Sequence, residues 1–273
     1  MSSIHAYIIN LDRDPSRWKH IQEAFQGTSL QLFRVSAVDG NRLILPSAEF
    51  DTHRFRRLHG RAVNIYEIAC YLSHMKAIQA FLKTEEEYAL ICEDDIFVES
   101  GLENAITAAL EEKDSWNILR LTALCPGHPV VLKKITKDYS LSLQFGRMKG
   151  AGAYIVDRKA ANAFMKHLLP MWLPWDHAFD REWFFGLKAL GVTPFPISQT
   201  REHFPSTIQK NSQAKLSTFQ RCCTTYPYQA FNEISRYLFR LGALVHYKAV
   251  SLLPRKSNEI TTRQDTHPSE HVR

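Results

Sequence analysis

The chain has 273 residues, 45% of them hydrophobic, and its 34 basic and 28 acidic side chains give a formal net charge of +6. A chain of this length and composition forms one large globular core or two modest ones, and the basic excess favours anionic partners. The N-terminus lacks a signal-peptide pattern, and no uncharged apolar stretch reaches the ~18 residues that a membrane-spanning helix requires. We therefore expect a cytoplasmic protein that is soluble or peripherally bound to a membrane.

The first half of the chain alternates between strand and helix patterns. Strand patterns occur at 5–11, 32–37, 88–92 and 116–121, and helix patterns at 14–27, 64–82 and from 100 onward. Asn64 with Glu67, and Ser100 with Glu103, have the spacing of a capping box. Residues 41–60 are polar and basic, and are predicted to form a long surface loop. The alternation predicts a sheet with parallel strands that is covered by helices on both faces.

The pattern changes in the second half. Short strands at 130–135 and 141–145 predict an antiparallel hairpin attached to the sheet. Small residues at 150–153 precede a strand at 154–156, and they serve either close approach of the backbone to a sugar or tight packing. Helices are predicted from Asp157 to Leu169 and from Pro174 to Leu190, the second with Gly191 as its C-terminal cap.

The last part of the chain, residues 211–273, is predicted to be a helical extension with a disordered end at 254–273. From Tyr228 to Leu253 aromatic and aliphatic residues alternate with basic ones, among them Arg236 and Arg240. Either this apolar face with basic flanks adsorbs to an anionic membrane surface, or the helix packs back on the domain.

Three adjacent acids, Glu93, Asp94 and Asp95, interrupt an apolar run. Carboxylates at the end of a buried strand need a cation or a substrate as partner, because desolvating like charges together is unfavourable. Alternation along a strand places Glu93 and Asp95 on one face and Asp94 on the other, so two carboxylates can converge on one divalent ion that binds a diphosphate. The alternative is a solvated strand exit or a helix cap.

Six motifs follow one another along the chain. They are Ile8-Ile9-Asn10-Leu11-Asp12-Arg13 with Arg17, Ala37-Val38-Asp39-Gly40, Glu67-Ile68-Ala69-Cys70-Tyr71-Leu72-Ser73-His74, Leu90-Ile91-Cys92-Glu93-Asp94-Asp95, Gly152-Ala153-Tyr154-Ile155-Val156 and Trp175-Asp176. This ordered set resembles glycosyltransferase family 25, the lipooligosaccharide galactosyltransferase group, over roughly Ile4 to Ile208. The resemblance implies a GT-A type α/β fold, a Rossmann-like mixed sheet flanked by helices, and use of a nucleotide sugar with inversion of the anomeric centre.

The resemblance also divides the chain and assigns roles. It implies a catalytic domain at 1–210, with a nucleotide-sugar half at about 1–125 and an acceptor half at about 126–210, followed by the extension at 211–273. Asp95 and Glu93 are expected to bind Mn²⁺ or Mg²⁺ at the donor diphosphate, with His203 either a further ligand or a plain surface histidine. The residues expected to line the donor cleft are Asn10, Arg13, Arg17, Asp39, Ser73, His74, Glu93, Asp94 and Lys210. Arg13 and Arg17 alternatively pair with Asp12 or Asp14 at the surface.

Inverting transfer needs a base that takes the proton of the acceptor hydroxyl, and a carboxylate in the acceptor cleft is the usual choice. Asp176 matches the family position, and Asp180, one turn further along, is the second candidate. Both acids also have ordinary structural explanations, as an N-cap and as a first-turn residue that interacts with the helix dipole. Trp172, Trp175 and Trp183 either stack on acceptor sugars or pack in the core.

The resemblance thus predicts a metal-dependent galactosyltransferase that moves galactose from UDP-galactose onto a lipooligosaccharide or lipopolysaccharide core, with no nucleic-acid partner. It would act at the inner face of the cytoplasmic membrane. A phosphoesterase or nucleotidyltransferase that uses clustered carboxylates to bind two ions is the enzymatic alternative. A non-catalytic module that binds a nucleotide or a carbohydrate is the other.

Overall fold

The computed structural model describes residues 4–45, 47–199, 208 and 213–251. Its strands are β1 (His5–Asn10), β2 (Gln31–Ser36), β3 (Tyr88–Glu93), β4 (Ile96–Val98), β5 (Ile118–Arg120), β6 (Pro129–Lys134), β7 (Ser140–Gln144), β8 (Ala153–Asp157), β9 (Ala189–Thr193) and β10 (Ile197–Gln199). Its longer helices are α1 (Pro15–Ala24), α2 (Thr52–His59), α3 (Ile65–Leu82), α4 (Leu102–Leu110), α5 (Arg158–His167), α6 (Trp175–Phe179), α7 (Glu182–Phe185) and α8 (Tyr226–Ser251).

Eight of the strands form one mixed sheet in the order β2-β1-β3-β8-β5-β9-β7-β6. β1 runs parallel to β2 and β3, whereas β8 is antiparallel to both of its neighbours, β3 and β5. The hairpin of β6 and β7 joins the sheet through antiparallel pairing of β7 with β9. The prediction of a large mixed sheet flanked by helices, with a helix at the C-terminal side, is confirmed.

Both faces of the sheet are covered, because the side chains of its central strands alternate between two cores. On β3, for example, Ala89 and Ile91 point into the core beneath α3, α5 and α6, and Leu90 and Cys92 into the core beneath α1 and α4. Strands that are buried on both faces read as continuous apolar runs, which is why these elements were predictable from the sequence. The apolar run on β3 ends at the acidic triplet, so those acids lie at the carboxyl end of this central strand.

The prediction of a long surface loop at 41–60 is wrong, because α2 occupies its second half. Asp51 caps this helix by accepting a hydrogen bond from the Arg54 backbone N–H at 2.9 Å, and Gly60 ends it in the left-handed conformation at φ 76°. Phe55 is its fully buried anchor. This eight-residue helix contains three arginines and two histidines, and its two apolar residues, Phe55 and Leu58, are too few to identify it as a helix from the sequence.

The prediction of one helix from Pro174 to Leu190 is also wrong. The segment forms two short helices, α6 and α7, and Gly186 ends the second in the left-handed conformation at φ 63°. Residues beyond it form β9, which fills the sheet between β5 and β7. The capping box at Ser100 is wrong too, since α4 begins after Gly101 and has no side-chain cap.

The C-terminal helix α8 packs on the domain through its basic residues. Arg236 and Arg240 are buried and face the carboxylates of Asp180 and Glu182. These two arginines therefore do not flank an exposed apolar face, and of the two alternatives the structure shows the second, packing of the helix on the domain. Within the described part of the chain, no helix is both long and apolar enough to cross a membrane. The segment predicted to be disordered, 254–273, lies outside the described residues.

Candidate functional site

The acidic triplet lies between the end of β3 and the antiparallel pair of β4 and β10. Gln199, at the end of β10, pairs with Ile96 of β4. Its Nε2 donates hydrogen bonds to Glu93 Oε2 at 2.9 Å and to Asp95 Oδ1 at 2.7 Å. A Cβ at Gly152 would collide with this amide, so any other residue there would displace the Gln199 side chain. The carboxylates of Glu93 and Asp95 thus accept hydrogen bonds from the same nitrogen and lie close together.

Asp94 points the other way, as strand alternation predicts. Its Oδ2 accepts a hydrogen bond from Asn10 Nδ2 at 2.7 Å, and its Oδ1 accepts one from Arg17 Nη1 at 2.9 Å. Asn10 is fully buried, and its Oδ1 accepts a further bond from Arg34. The polar atoms of the Asn10 side chain are therefore used within the protein, and Asn10 supports Asp94 from behind the site.

The electrostatics of Glu93 and Asp95 fit a divalent cation. Burial, followed by the neighbouring Glu93 carboxylate, raises the pKa of Asp95 to about 7. Burial also opposes ionisation of Glu93, but hydrogen bonds from His74 and Gln199 outweigh it and lower the pKa of Glu93. Two carboxylates in one buried site repel each other unless a cation or a proton lies between them. Their oxygens are the ligand type that Mn²⁺ and Mg²⁺ prefer, so the residues present fit such an ion. His203, predicted as a further ligand, lies outside the described residues.

Ser73 and His74 are both buried in the middle of α3. Ser73 Oγ donates to the Ala69 carbonyl at 2.6 Å and accepts from the Val38 N–H at 2.8 Å. His74 Nε2 lies 3.3 Å from Glu93 Oε1, and its ring stacks on Trp175 at 4.9 Å. Ser73 thus fixes the loop after β2, and His74 fixes the orientation of Glu93.

Two cavities meet at Glu93 and Asp95. The smaller, of about 170 Å³, lies over the carboxyl ends of β1 and β3. Its lining includes Arg13, Arg17, Gly40, Tyr66, Ser73, His74 and the acidic triplet. The larger, of about 370 Å³, lies on the other side of the two acids. Its lining includes His59, Glu67, Cys70, Gly150, Trp175, Asp176, His177 and Gln199.

The smaller cavity carries the cationic residues predicted for the donor. Arg17 lines it and pairs with Asp94 and, at 3.4 Å, with Asp14. Arg13 lines it as well and pairs with Asp39, whose pKa is lowered by the hydrogen bond from Arg13. The Asp39 carboxylate also caps a helical turn at Asn41, and lies in a neighbouring cavity. Lys210 lies outside the described residues.

The larger cavity contains Asp176. Asp176 Oδ2 accepts a hydrogen bond from the Gly150 N–H at 3.1 Å, and the Gly150 carbonyl accepts one from the buried Arg120. Burial opposes ionisation of Asp176, but His177, the Gly150 N–H and Arg120 outweigh it and lower its pKa. An ionised carboxylate in a fixed orientation thus faces the same space as Glu93 and Asp95.

Asp180 does not face that space. Its Oδ1 accepts a hydrogen bond from Arg240 at 3.1 Å, and its Oδ2 lies 3.5 Å from Arg236 Nε. The turn between α6 and α7 rotates Asp180 away from Asp176, so the two acids do not share a cleft. Because both oxygens face the arginines of α8, Asp180 is unsuited to act as a base in the cavity, and that prediction is corrected.

Of the three tryptophans predicted to contact acceptor sugars, one lines the larger cavity and two pack against arginines. Trp175 is buried and lines the larger cavity. Trp172 lies beneath the guanidinium groups of Arg54 and Arg181, at 4.3 and 4.4 Å, and Trp183 beneath Arg236 at 5.0 Å. The faces of Trp172 and Trp183 are therefore engaged by arginines of the protein.

Several residues of the site were not predicted from the sequence. They are His59, His177, Gln199 and Arg120, together with Glu67, whose side chain was assigned to a cap. Asn64 does cap α3, at 3.0 Å from the Tyr66 N–H, while the Glu67 carboxylate lines the larger cavity. Glu67, Cys70 and His74 recur at three and four residues, so the sequence did place them on one helix face.

A family model described as glycosyltransferase family 25 (LPS biosynthesis protein) matches residues 3–179. The chain belongs to glycosyltransferase family 25. The family prediction is thereby confirmed, and the matched region contains the acidic triplet, Glu67 and Asp176.

Relatives of known sequence are similar over a limited part of their length. A glycosyltransferase 25 family member of Drosophila pseudoobscura pseudoobscura is 34% identical over 97 residues, which are 34% of this chain and 16% of that protein. One of Aedes aegypti is 28% identical over 117 residues, which are 41% of this chain and 19% of that protein. These matches span less than a fifth of each relative. The inositol-1-phosphate CTP transferase structure from T. maritima is 11% identical, with a TM-score of 0.39, and the match covers 86% of this chain and 97% of that chain.

Proposed function

We propose that this family 25 protein is an inverting, metal-dependent glycosyltransferase that moves galactose from UDP-galactose onto a lipooligosaccharide or lipopolysaccharide core. The observation that supports this most directly is the meeting of two cavities at Glu93 and Asp95. A transferase needs a donor site and an acceptor site that share the reacting centre, and this arrangement provides for both.

The residues divide between the two substrates. Glu93 and Asp95 would hold Mn²⁺ or Mg²⁺, and such an ion supplies positive charge that stabilises the departing nucleoside diphosphate. Arg13 and Arg17 lie on the donor side and attract the diphosphate. Asp176 lies on the acceptor side and takes the proton of the attacking hydroxyl.

The function is tested by offering the protein a panel of UDP-sugars with Mn²⁺ and a truncated core oligosaccharide. We expect release of UDP, a galactosylated product with inverted anomeric configuration by NMR, and loss of both in the presence of a chelator. Release of UMP or inorganic phosphate would instead indicate a nucleotidyltransferase or a phosphoesterase. Binding of UDP with Mn²⁺ but no turnover on any acceptor would indicate a non-catalytic module.

Replacing Asp176 with asparagine tests the base. The amide oxygen can still accept the bond from the Gly150 N–H, so the fold is kept while the proton acceptor is lost. We expect kcat to fall about a hundredfold, the lower end of what general bases contribute. Affinity for UDP with Mn²⁺, measured by calorimetry, should stay within about twofold of wild type, a free-energy change below ~0.5 kcal/mol. Full activity of this variant would exclude Asp176 as the base.

We also propose that the enzyme acts at the inner face of the cytoplasmic membrane, with the outer face of α8 against the lipid. Exposed apolar residues recur there at three and four residues. They are Phe231, Ile234, Leu238, Leu241 and Val245. With Arg236 and Arg240 buried, attraction would come from apolar insertion and from the net charge of +6.

Replacing Leu238 with glutamate tests this contact. Transfer of a leucine side chain from water to an apolar environment contributes about 2 kcal/mol, so binding to anionic phospholipid vesicles should weaken at least about tenfold. Vesicle flotation measures the change, and Gln22→Glu on the exposed side of α1 adds the same charge elsewhere as a control. Equal flotation of both variants would contradict a membrane role for α8.

A further inference from the structure

Two polar side chains on the wall of the larger cavity make no hydrogen bond to another residue in the ranges that the structure describes. His59 is the last residue of α2, and its side chain is only 10% exposed. Neither of its ring nitrogens makes a hydrogen bond to a described residue. Glu67 Oε2 lies 4.0 Å from His59 Nε2, too far for a hydrogen bond, and its carboxylate has no other hydrogen-bond partner in the described ranges.

The position of His59 is fixed by packing. Its ring lies 4.9 Å from the ring of Phe55 and edge-on to His177 at 5.5 Å. Gly60 follows in the left-handed conformation, and a Cβ there would collide with Thr225. The imidazole is thus held against the cavity by its neighbours, while its polar atoms remain unused.

The unpaired ring nitrogens of the buried His59 side chain indicate a ligand, and the Glu67 carboxylate, whose side chain is 17% exposed, lies beside them. Leaving a buried donor or acceptor unpaired is unfavourable by about 1–3 kcal/mol, so native proteins rarely keep one without a reason. His59 and Glu67 both line a cavity that also holds Asp176, the group proposed to accept the acceptor proton. An occupant of that cavity would satisfy both side chains.

The chemistry of the pair selects the kind of ligand. Burial lowers the pKa of His59 to about 3, so its imidazole is neutral and offers one donor and one acceptor. Burial raises the pKa of Glu67 to about 7, with Asp176 adding to this effect and Arg61 opposing it. Near neutral pH the Glu67 carboxyl group can therefore both donate and accept a hydrogen bond. Sugar hydroxyls do both, whereas an anion here would face the carboxylates of Asp176, Glu93 and Asp95, with Lys149 as a cationic neighbour on the cavity wall.

We propose that His59 and Glu67 bind hydroxyl groups of the acceptor sugar and so determine which acceptor is used. This inference rests on the proposed function and deepens it, since it assigns the larger cavity to an uncharged, hydroxyl-bearing sugar. His59 and Glu67 act in binding, and Asp176 acts in proton transfer.

The test separates binding from chemistry through acceptor KM and kcat. Glu67→Met and His59→Phe replace each polar group by an apolar one of similar size. We expect each to raise acceptor KM about tenfold, which corresponds to the loss of roughly one hydrogen bond. Both kcat and donor KM should change less than about twofold. Glu67→Gln, which can still donate and accept, should stay within about threefold of wild type. Thermal melting identifies any variant that fails to fold. If one of the two variants fails to fold, the variant at the other position still tests the inference.

Acceptor sugars that lack a single hydroxyl group provide a second test. Removal of the hydroxyl that Glu67 binds should raise the wild-type acceptor KM by a similar factor, and should have little further effect in Glu67→Met. Unchanged acceptor KM in folded Glu67→Met and His59→Phe would overturn the inference. A fall in kcat at constant KM would also overturn it, because it would assign Glu67 to proton transfer.

The inference can fail independently of the proposed function. Calorimetry with the oligosaccharide, in the presence of UDP and Mn²⁺, measures acceptor affinity without turnover. Weaker binding to Glu67→Met than to wild type supports the sugar site even if no transfer is observed. Equal binding to both overturns the site even if transfer is observed.

Discussion

Replacing Asp95 with alanine is expected to lower the rate of sugar transfer by about a thousandfold or more, equivalent to ~4 kcal/mol of transition-state stabilisation. Asp95 is one of the two carboxylates that converge on the Gln199 amide, and it faces both cavities. Without it, Glu93 alone would have to hold the cation, and the charge that develops on the departing diphosphate would be poorly balanced.

The decisive measurement is the dependence on the metal. Wild-type affinity for UDP should rise when Mn²⁺ is added, and that increase should disappear in Asp95→Ala, by calorimetry. Asp12→Ala is the matched control, because Asp12 is a largely exposed carboxylate, 70% accessible, near the same edge of the sheet. Strong metal-dependent binding in Asp95→Ala, or equal losses in both variants, would contradict the assignment of the cation to Glu93 and Asp95.

The sequence was sufficient to predict the positions of residues whose orientation depends on local periodicity. Glu93 and Asp95 converge and Asp94 turns away because side chains alternate on a strand, and the apolar run before them identified that strand. In the same way, the cap at Asp157 and the hairpin of β6 and β7 were readable from short patterns. In each case the determining information lies within a few residues.

The remaining parts of the site depend on contacts between distant residues. Gln199 meets Glu93 across 106 positions, through the pairing of β10 with β4. His59 belongs to a short basic helix in a segment that was predicted to be a loop, and only the fold brings it to Glu67. Such pairings leave no mark in either local sequence, so neither Gln199 nor His59 was identified as a site residue.

The orientation of α8 could not be read from the sequence for a related reason. Amphipathic analysis assigns charged residues to solvent, and it therefore placed Arg236 and Arg240 beside an exposed apolar face. The domain surface beneath α8 carries buried carboxylates, so the arginines face inward and apolar residues remain outside. The helix is fixed by charge pairing, and its stability should depend on those pairs.

Arg240 is the centre of that pairing. Its Nε and Nη2 bind the two oxygens of Glu182 at 2.5 and 2.8 Å, and Nη2 also reaches Asp180 at 3.1 Å. Its Nη1 donates to the carbonyl groups of Gln144 and Gly146, at the end of β7. Burial alone would lower the pKa of Arg240, but Glu182 and Asp180 outweigh it, so the guanidinium stays charged.

Replacing Arg240 with methionine is expected to lower the free energy of unfolding by about 3–5 kcal/mol, because the buried Glu182 carboxylate loses its partner and Asp180 keeps only Arg236. Urea unfolding measures the change. Lys19→Met, which removes an exposed pair with Glu23 at 3.7 Å, is the control, and it should cost less than about 1 kcal/mol. Adding Glu182→Gln to Arg240→Met should restore much of the loss, since the buried carboxylate that lost its ionic partner is then neutral. A loss below about 1 kcal/mol in Arg240→Met itself would mean that α8 is not held to the domain by this network.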